Sequence, residues 1–231
     1  MADINFYFDP ICPFAWMTSK WVRIVQAQRD YTVDWRFISL RQINAHLDYD
    51  SHFPPEYEAQ HTNGLRLLRV ASAVREKHGR ETIGSLYEAF GARIHEVGTP
   101  IPVPELTVAA LTEAGLPVAL ADFLDDTSRD AEIRAESDEA LSLTGKDVGT
   151  PIVHFEPPDG VAFFGPVISR LPDETQAAEL WDHVVGLARF PGFAELKRSL
   201  REQPQLPSFG VTTDEAGRTE DWHAGSRRLK K

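Results

Sequence analysis

The sequence predicts an α/β fold in which a large helical block interrupts a small sheet. Three observations predict it: a strand–helix–strand opening, helical periodicity without strands from about residue 54 to residue 144, and a closing pair of short apolar runs followed by a helix. At 231 residues the chain can bury a sizeable core.

The opening stretch "DINFYF", residues 3–8, places Ile4, Phe6 and Phe8 on one face and reads as a strand. From Pro13 to about Gln28, Trp16, Met17, Trp21, Ile24 and Val25 recur near helical spacing, and proline at an early helical position costs nothing because its N–H would be unpaired there anyway. "YTVDWRFISL", residues 31–40, alternates at Val33, Trp35 and Phe37 and reads as a second strand. Such a start predicts a parallel pair joined by a right-handed crossover.

The helical block then runs through "GLRLLRVASAVREKHG", "IGSLYEAFGARIHEVG", "PELTVAALTEAG", "PVALADFLDD" and "DAEIRAESDEALSLTG". Gly64, Gly79, Gly98, Gly115 and Gly145 are expected at the edges of these segments, and Pro104 and Pro117 open two of them. "TPIVHFE" and "GVAFFG", separated by "PPD", predict an antiparallel hairpin. "LPDETQAAELWDHVVGLAR" predicts a closing helix with Leu180, Val184, Leu187 and Ala188 on its apolar face, and "FAELKRSLRE" a shorter helical piece. The polar residues from Ser208 on, ending in the basic "GSRRLKK", predict a mobile tail.

Composition narrows the function classes. With 42% hydrophobic and 26% charged residues the chain reads as an ordinary globular protein, and no apolar run approaches the roughly 20 residues of a membrane span. The opening lacks a basic region followed by a long apolar one, so no secretory signal is expected and the location reads as cytoplasmic. With 24 basic against 35 acidic residues the net charge is -11, a field that repels a phosphate backbone and argues against nucleic-acid binding. A single cysteine cannot form an internal disulfide, which suits a reducing compartment and leaves any disulfide chemistry to a second molecule.

Cys12, in "FDPICPFAW", has two readings. Free cysteines are commonly buried and inert, whereas a sulfur between a strand and a helix start faces unpaired N–H groups that favour the thiolate. Thr150 and Pro151, in "VGTPIVHF", stand at the head of the first strand after the helical block, where a cis-proline would leave the Thr150 backbone open to an extended sulfur-bearing ligand. His46, His61, His78, His95, His154, His183 and His223 show no paired ligand spacing, so no metal is expected. Asp125 with Asp126, and Glu136 with Asp138 and Glu139, read as solvated helix faces, and Tyr87 and Phe90 as core. Phosphate-binding glycine patterns and a Gly-x-Ser-x-Gly elbow are absent. "PEYEAQHTNGLRLL" is expected to border the active-site cleft, because a helical block inserted after the second strand must fold over one edge of the sheet.

"FDPICPFAW", "GTPIVHF", "VAFFGPVISRLP" and "FAELKR" together resemble the DsbA-like branch of the thioredoxin superfamily, most closely the mycothiol-dependent nitroreductases of actinobacteria, over about residues 3–206. The resemblance implies a thioredoxin fold (residues 1–53 and 146–206), a helical insertion (54–145) and a tail (207–231). It also implies an attacking Cys12, an active-site motif of Pro13, Phe14, Ala15 and Trp16, and a thiol and substrate pocket bordered by Thr150, cis-Pro151, Asn44 and Tyr57. Ala15 stands where the wider family carries a resolving cysteine, so a mixed disulfide on Cys12 must be released by an outside thiol.

The implied cosubstrate is a low-molecular-weight thiol such as mycothiol, with a small acceptor such as a nitroaromatic, no tightly bound cofactor, no membrane or nucleic-acid partner, and a homodimer left open. Two rival readings remain: a thiol transferase or isomerase resembling kappa-class glutathione transferases and hydroxychromene carboxylate isomerases, and a non-catalytic thioredoxin-fold binding module.

Overall fold

The computed structural model describes residues 2–97, 100–145, 148–198, 200–211 and 219–221. Strand β1 (Ile4–Phe8) leads into helix α1 (Pro13–Gln28) and strand β2 (Val33–Phe37). Two single-turn helices follow, α2 (Leu40–Ile43) and α3 (Tyr49–His52), then α4 (Tyr57–His78), α5 (Ile83–His95), α6 (Val103–Glu113), a 3₁₀ segment (Val118–Asp125) and α7 (Asp130–Thr144). The chain closes with the hairpin β3 (Ile152–Phe155) and β4 (Ala162–Phe164), helix α8 (Glu174–Ala188) and a strand pair β5 (Leu200–Glu202) and β6 (Thr219–Asp221). No helix among the described residues is long and apolar enough to cross a membrane.

The main sheet has the order β2-β1-β3-β4. β1 and β2 are parallel from Ile4 opposite Val33 to Phe8 opposite Phe37, as a strand–helix–strand opening requires, and β1–β3 and β3–β4 are antiparallel. All five residues of β1 are buried, because helices cover both faces of this central strand. Ile4, Phe6 and Phe8 face a cluster built with α1, α4 and α5, while Tyr7 points the other way, to Ile38, Ile43, Ala140 and Ile152.

Several sequence expectations are corrected. Gly64 is inside α4, not at its edge: a Cβ there would lie 2.9 Å from Ile11 Cγ1 and closer still to Asp9 Oδ1, so glycine is required by close approach and not by a turn. Gly79, Gly115 and Gly145 do mark stops, each with positive φ; Gly98 falls outside the described residues. "PVALADFLDD" forms a 3₁₀ segment, and α2 and α3 were not anticipated, being too short for a periodic signal.

The buried face of α8 is Ala177, Trp181 and Ala188, with Leu180 and Leu187 exposed. Trp181 decides the rotation: its ring meets Trp21 edge-on at 5.1 Å and its indole N–H donates to Tyr31, and the flanking alanines let α8 approach α1. Residues 193–198 of "FAELKRSLRE" are irregular, and 200–202 pair as β5 with β6, so part of the predicted tail is a strand. "GSRRLKK" lies outside the described residues.

Glu136 is also misplaced by the sequence reading. It is buried, accepts from the Phe37 N–H, and ion-pairs with Arg36 and Arg75, tying α7 to β2 and α4. A carboxylate is stable there because its oxygens meet two guanidinium groups and a backbone donor.

Candidate active site

Cys12 is the N-cap of α1, with Pro13 at the first helical position. Its Sγ accepts from the Ala15 N–H at 3.5 Å, and its thiol donates to the Thr150 carbonyl at 3.3 Å. The Thr150–Pro151 peptide is cis, and the Thr150 hydroxyl is itself tied to the Tyr7 carbonyl at 3.0 Å. A bond spanning 138 residues thus brings the two sequence-predicted motifs, Cys12–Pro13 and Thr150–Pro151, into one site.

The loop before the sulfur is held from several sides. The buried Asp9 carboxylate accepts from Ile11 N–H at 3.2 Å and Leu40 N–H at 2.8 Å, and the Cys12 N–H closes a turn onto Asp9 O. His95, at the end of α5, lies 3.0 Å through Nε2 from the Pro10 carbonyl. A carbonyl only accepts, so Nε2 carries the proton. Trp16, 3% exposed, packs under this loop with its N–H on Glu96 at 2.8 Å and its ring stacked on His95. It is a core aromatic within the motif that the resemblance implies. Phe14 is partly buried against the same core, and Ala15 is fully buried.

Burial sets the electrostatics. Cys12 is 6% exposed, and burial pushes its thiol up to about 12 despite the Ala15 and Phe14 N–H groups, with the nearby Asp9 adding to the rise. Of the two readings of this sulfur, the helix start is where the sequence puts it, but desolvation outweighs the N–H groups and favours the protonated thiol. Asp9 is raised by burial to about 7 against its two N–H bonds, and His95 is lowered by burial to about 4.

Asn44 and Tyr57 lie at the ends of two helices of the block after β2. Asn44, half-buried, caps α2, whose first N–H reaches Asp9. Tyr57 opens α4, stacked on Phe53 at 5.8 Å and beside His61. It precedes Gly64, where α4 touches Asp9 and Ile11, by two turns, about 10 Å along the axis. The stretch "PEYEAQHTNGLRLL" thus packs, through Gly64, against the loop before Cys12.

Among the described residues no group of three or more His, Cys, Asp or Glu side chains is arranged to hold a metal ion. A hollow of about 490 Å³ lined by Arg36, Arg75, Arg80, Glu132, Glu136 and Glu139 lies on the α7 side; its charges are largely paired with one another, and it does not include Cys12. Asp9, His95 and Glu96 were missed as site residues in the sequence. Asp9 carried one signal, a carboxylate directly after a largely apolar strand, whereas His95 carried none.

The Rv2466c-like family, described as mycothiol-dependent nitroreductase Rv2466c, matches residues 11–198 of this sequence. The chain belongs to that family. The Rv2466c-like assignment agrees with the resemblance carried by the "FDPICPFAW" and "GTPIVHF" motifs. The uncharacterized protein Rv2286c of Mycobacterium tuberculosis is 33% identical over 199 residues, covering 86% of this chain and 82% of that protein. Among solved structures, the probable DsbA oxidoreductase SCO1869 of Streptomyces coelicolor superposes with a TM-score of 0.54 at 16% identity, covering 89% of this chain and 98% of the other. A 2-hydroxychromene-2-carboxylate isomerase superposes at 0.51 and 13% identity, covering 80% and 96%. These likenesses show the fold: a DsbA-like thioredoxin fold with its helical insertion between β2 and β3.

Proposed function

We propose that this Rv2466c-like chain is a thiol-dependent oxidoreductase in which Cys12 forms a mixed disulfide with a low-molecular-weight thiol, mycothiol by its family, and passes electrons to a small acceptor. The observation that carries the reading is the Cys12 sulfur at the start of α1, in hydrogen-bond contact with the carbonyl that precedes cis-Pro151. A thiol ligand lying along Thr150–Pro151 would take over that contact, with Asn44 and Tyr57 bordering the space beyond.

For a nitroaromatic acceptor the electrons balance in two steps. The Cys12 thiol and one small thiol are oxidised to the mixed disulfide, giving two electrons and two protons that take a nitro group to nitroso and one water. A second small thiol then attacks the mixed disulfide, releasing the oxidised small-thiol dimer and restoring the Cys12 thiol. Ala15 makes that second thiol necessary, since position 15 has no sulfur to do the work internally. A reducing cytoplasm that keeps small thiols abundant suits this cycle.

The nucleophile must be a thiolate, and a thiol that burial pushes up to about 12 is protonated at neutral pH. Turnover therefore requires Cys12 to be uncovered as substrate enters. The same burial favours a second reading, in which the site binds a small thiol that is itself the nucleophile, as in a thiol transferase or isomerase, and Cys12 only packs.

Mass spectrometry after incubation with oxidised mycothiol, paired with turnover of Cys12→Ser, separates the two. The redox cycle predicts a stoichiometric adduct on Cys12 that further thiol removes, and a loss of turnover on the order of 10³-fold or more in the serine variant. Turnover surviving in Cys12→Ser would hand the site to the transferase reading.

A further inference from the structure

The peptide plane between Pro10 and Ile11, one residue before the sulfur, is gripped at both ends. Its carbonyl accepts from His95 Nε2 at 3.0 Å, and its N–H donates to Asp9 Oδ1 at 3.2 Å. Both gripping side chains are more than nine-tenths buried. We propose that His95 and Asp9 are positioning residues for Cys12, clamping the Pro10–Ile11 peptide so that the sulfur is held against Ala15 N–H and Thr150 O. The reaction that gives this clamp its purpose is the Cys12 chemistry proposed above, but the clamp itself is a property of the loop.

The two bonds reinforce each other. Donation into a carbonyl polarises the peptide and makes its N–H a better donor, so the His95 bond strengthens the Asp9 bond beyond it. The other Asp9 oxygen takes Leu40 N–H, which extends the chain from α5 through the loop to α2. His95 is locked in turn: its ring stacks on Trp16 at 6.1 Å, and Glu96 next to it takes the Trp16 N–H and the Lys20 ammonium. The last turn of α5 therefore aligns both the loop before the sulfur and the first turn of α1 after it. A thiol at hydrogen-bond distance from a fixed carbonyl is sensitive to this support, because reacting groups held by an unsupported shell drift out of line.

The test is alkylation of Cys12 by iodoacetamide in the folded, full-length protein as a function of pH, which needs no acceptor and so stands apart from the nitroreductase reading. His95→Phe keeps the ring and its stack on Trp16 but loses the donor. An ordinary hydrogen bond corresponds to roughly a two- to tenfold change in an equilibrium. The loosened loop should therefore uncover the thiol, raise the alkylation rate severalfold and lower the midpoint of its pH profile, while His95→Gln, which keeps an N–H donor, returns both to within about twofold of wild type. A role in packing alone would lower the unfolding midpoint and leave the pH profile of the folded protein where it was. A His95→Phe profile that coincides with wild type, or a His95→Gln profile that coincides with His95→Phe, overturns the clamp. Should His95→Phe not fold, His95→Gln against the one-methylene-shorter His95→Asn decides: the longer amide should hold the wild-type profile and the shorter one should not, and equal profiles overturn it.

Discussion

Cys12 shows two opposing effects on one sulfur: helix N–H groups that favour the anion, and removal from water that penalises it more. Asp9 and His95 beside it are shifted by the same cause, each toward its neutral form. These shifts predict a pH dependence of stability. His61 and His95 are both lowered by burial to about 4, so between there and 6.5 the unfolded chain binds two protons that the folded chain refuses, and stability rises with pH. Asp9, raised to about 7, binds a proton in the fold that the unfolded chain has lost, and opposes one of the two over the same range. The net is one proton, a rise of about 1.4 kcal/mol per pH unit at most. Above about 9, Cys12 stays protonated in the fold while the unfolded thiol ionises, so stability falls again, with the buried Tyr7 and Tyr87 hydroxyls adding to the loss at higher pH. Urea midpoints from roughly pH 4 to pH 10 should trace this hump, and His95→Gln should flatten its acid side. A midpoint that stays level from 4 to 6.5 would contradict the assignment of neutral, buried histidines.

Two helices are placed by what they must avoid. α4 passes so close to Asp9 and Ile11 that position 64 has no room for a Cβ, and α5 lies against the Trp16 ring, with a Cβ at position 91 falling 2.7 Å from Trp16 Cδ2. The sign of a glycine-to-alanine change separates this from ordinary helix propensity. In an exposed helix interior alanine would stabilise by about 1 kcal/mol, whereas overpacking costs about 1–3 kcal/mol. Gly64→Ala and Gly91→Ala are both predicted to destabilise by about 1–3 kcal/mol, read from urea unfolding, with Gly64→Ala also disturbing the Asp9 bonds. A stabilising effect in either variant would show that the helix does not approach so closely.

At the scale of the molecule, the helical block and the sheet share a core. The Phe8 ring of β1 stacks on Tyr87 of α5 with centroids 3.8 Å apart, and Trp35 of β2 packs on the same ring. Dividing the chain into a thioredoxin-fold unit of residues 1–53 and 146–206 and an insertion of residues 54–145 is therefore a proposal about topology. The two parts are predicted to unfold together, with far-UV circular dichroism and tryptophan fluorescence giving one coincident transition. Separate transitions for the two probes would mean that the insertion stands on its own core.

Much of the fold was legible because it is written in local periods. Alternation at Val33, Trp35 and Phe37, helical spacing from Pro13 to Gln28, and the turn at "PPD" each depend on neighbours a few residues apart, and the structure puts a strand, a helix and a hairpin there. The sequence by itself also determined the chemistry available: one sulfur, no resolving partner at position 15, and a threonine–proline pair at the head of β3. Only the tertiary structure decided how that sulfur is held. Thr150 O, His95 and Leu40 reach the Cys12 loop from 138, 85 and 31 residues away, and Glu136, which looks solvated on its helix, is buried by β2 and α4. Such pairings leave no period in the chain. Burial is a property of everything packed around a group, so the balance that keeps Cys12 protonated exists only once β1, α1, α5 and β3 have come together.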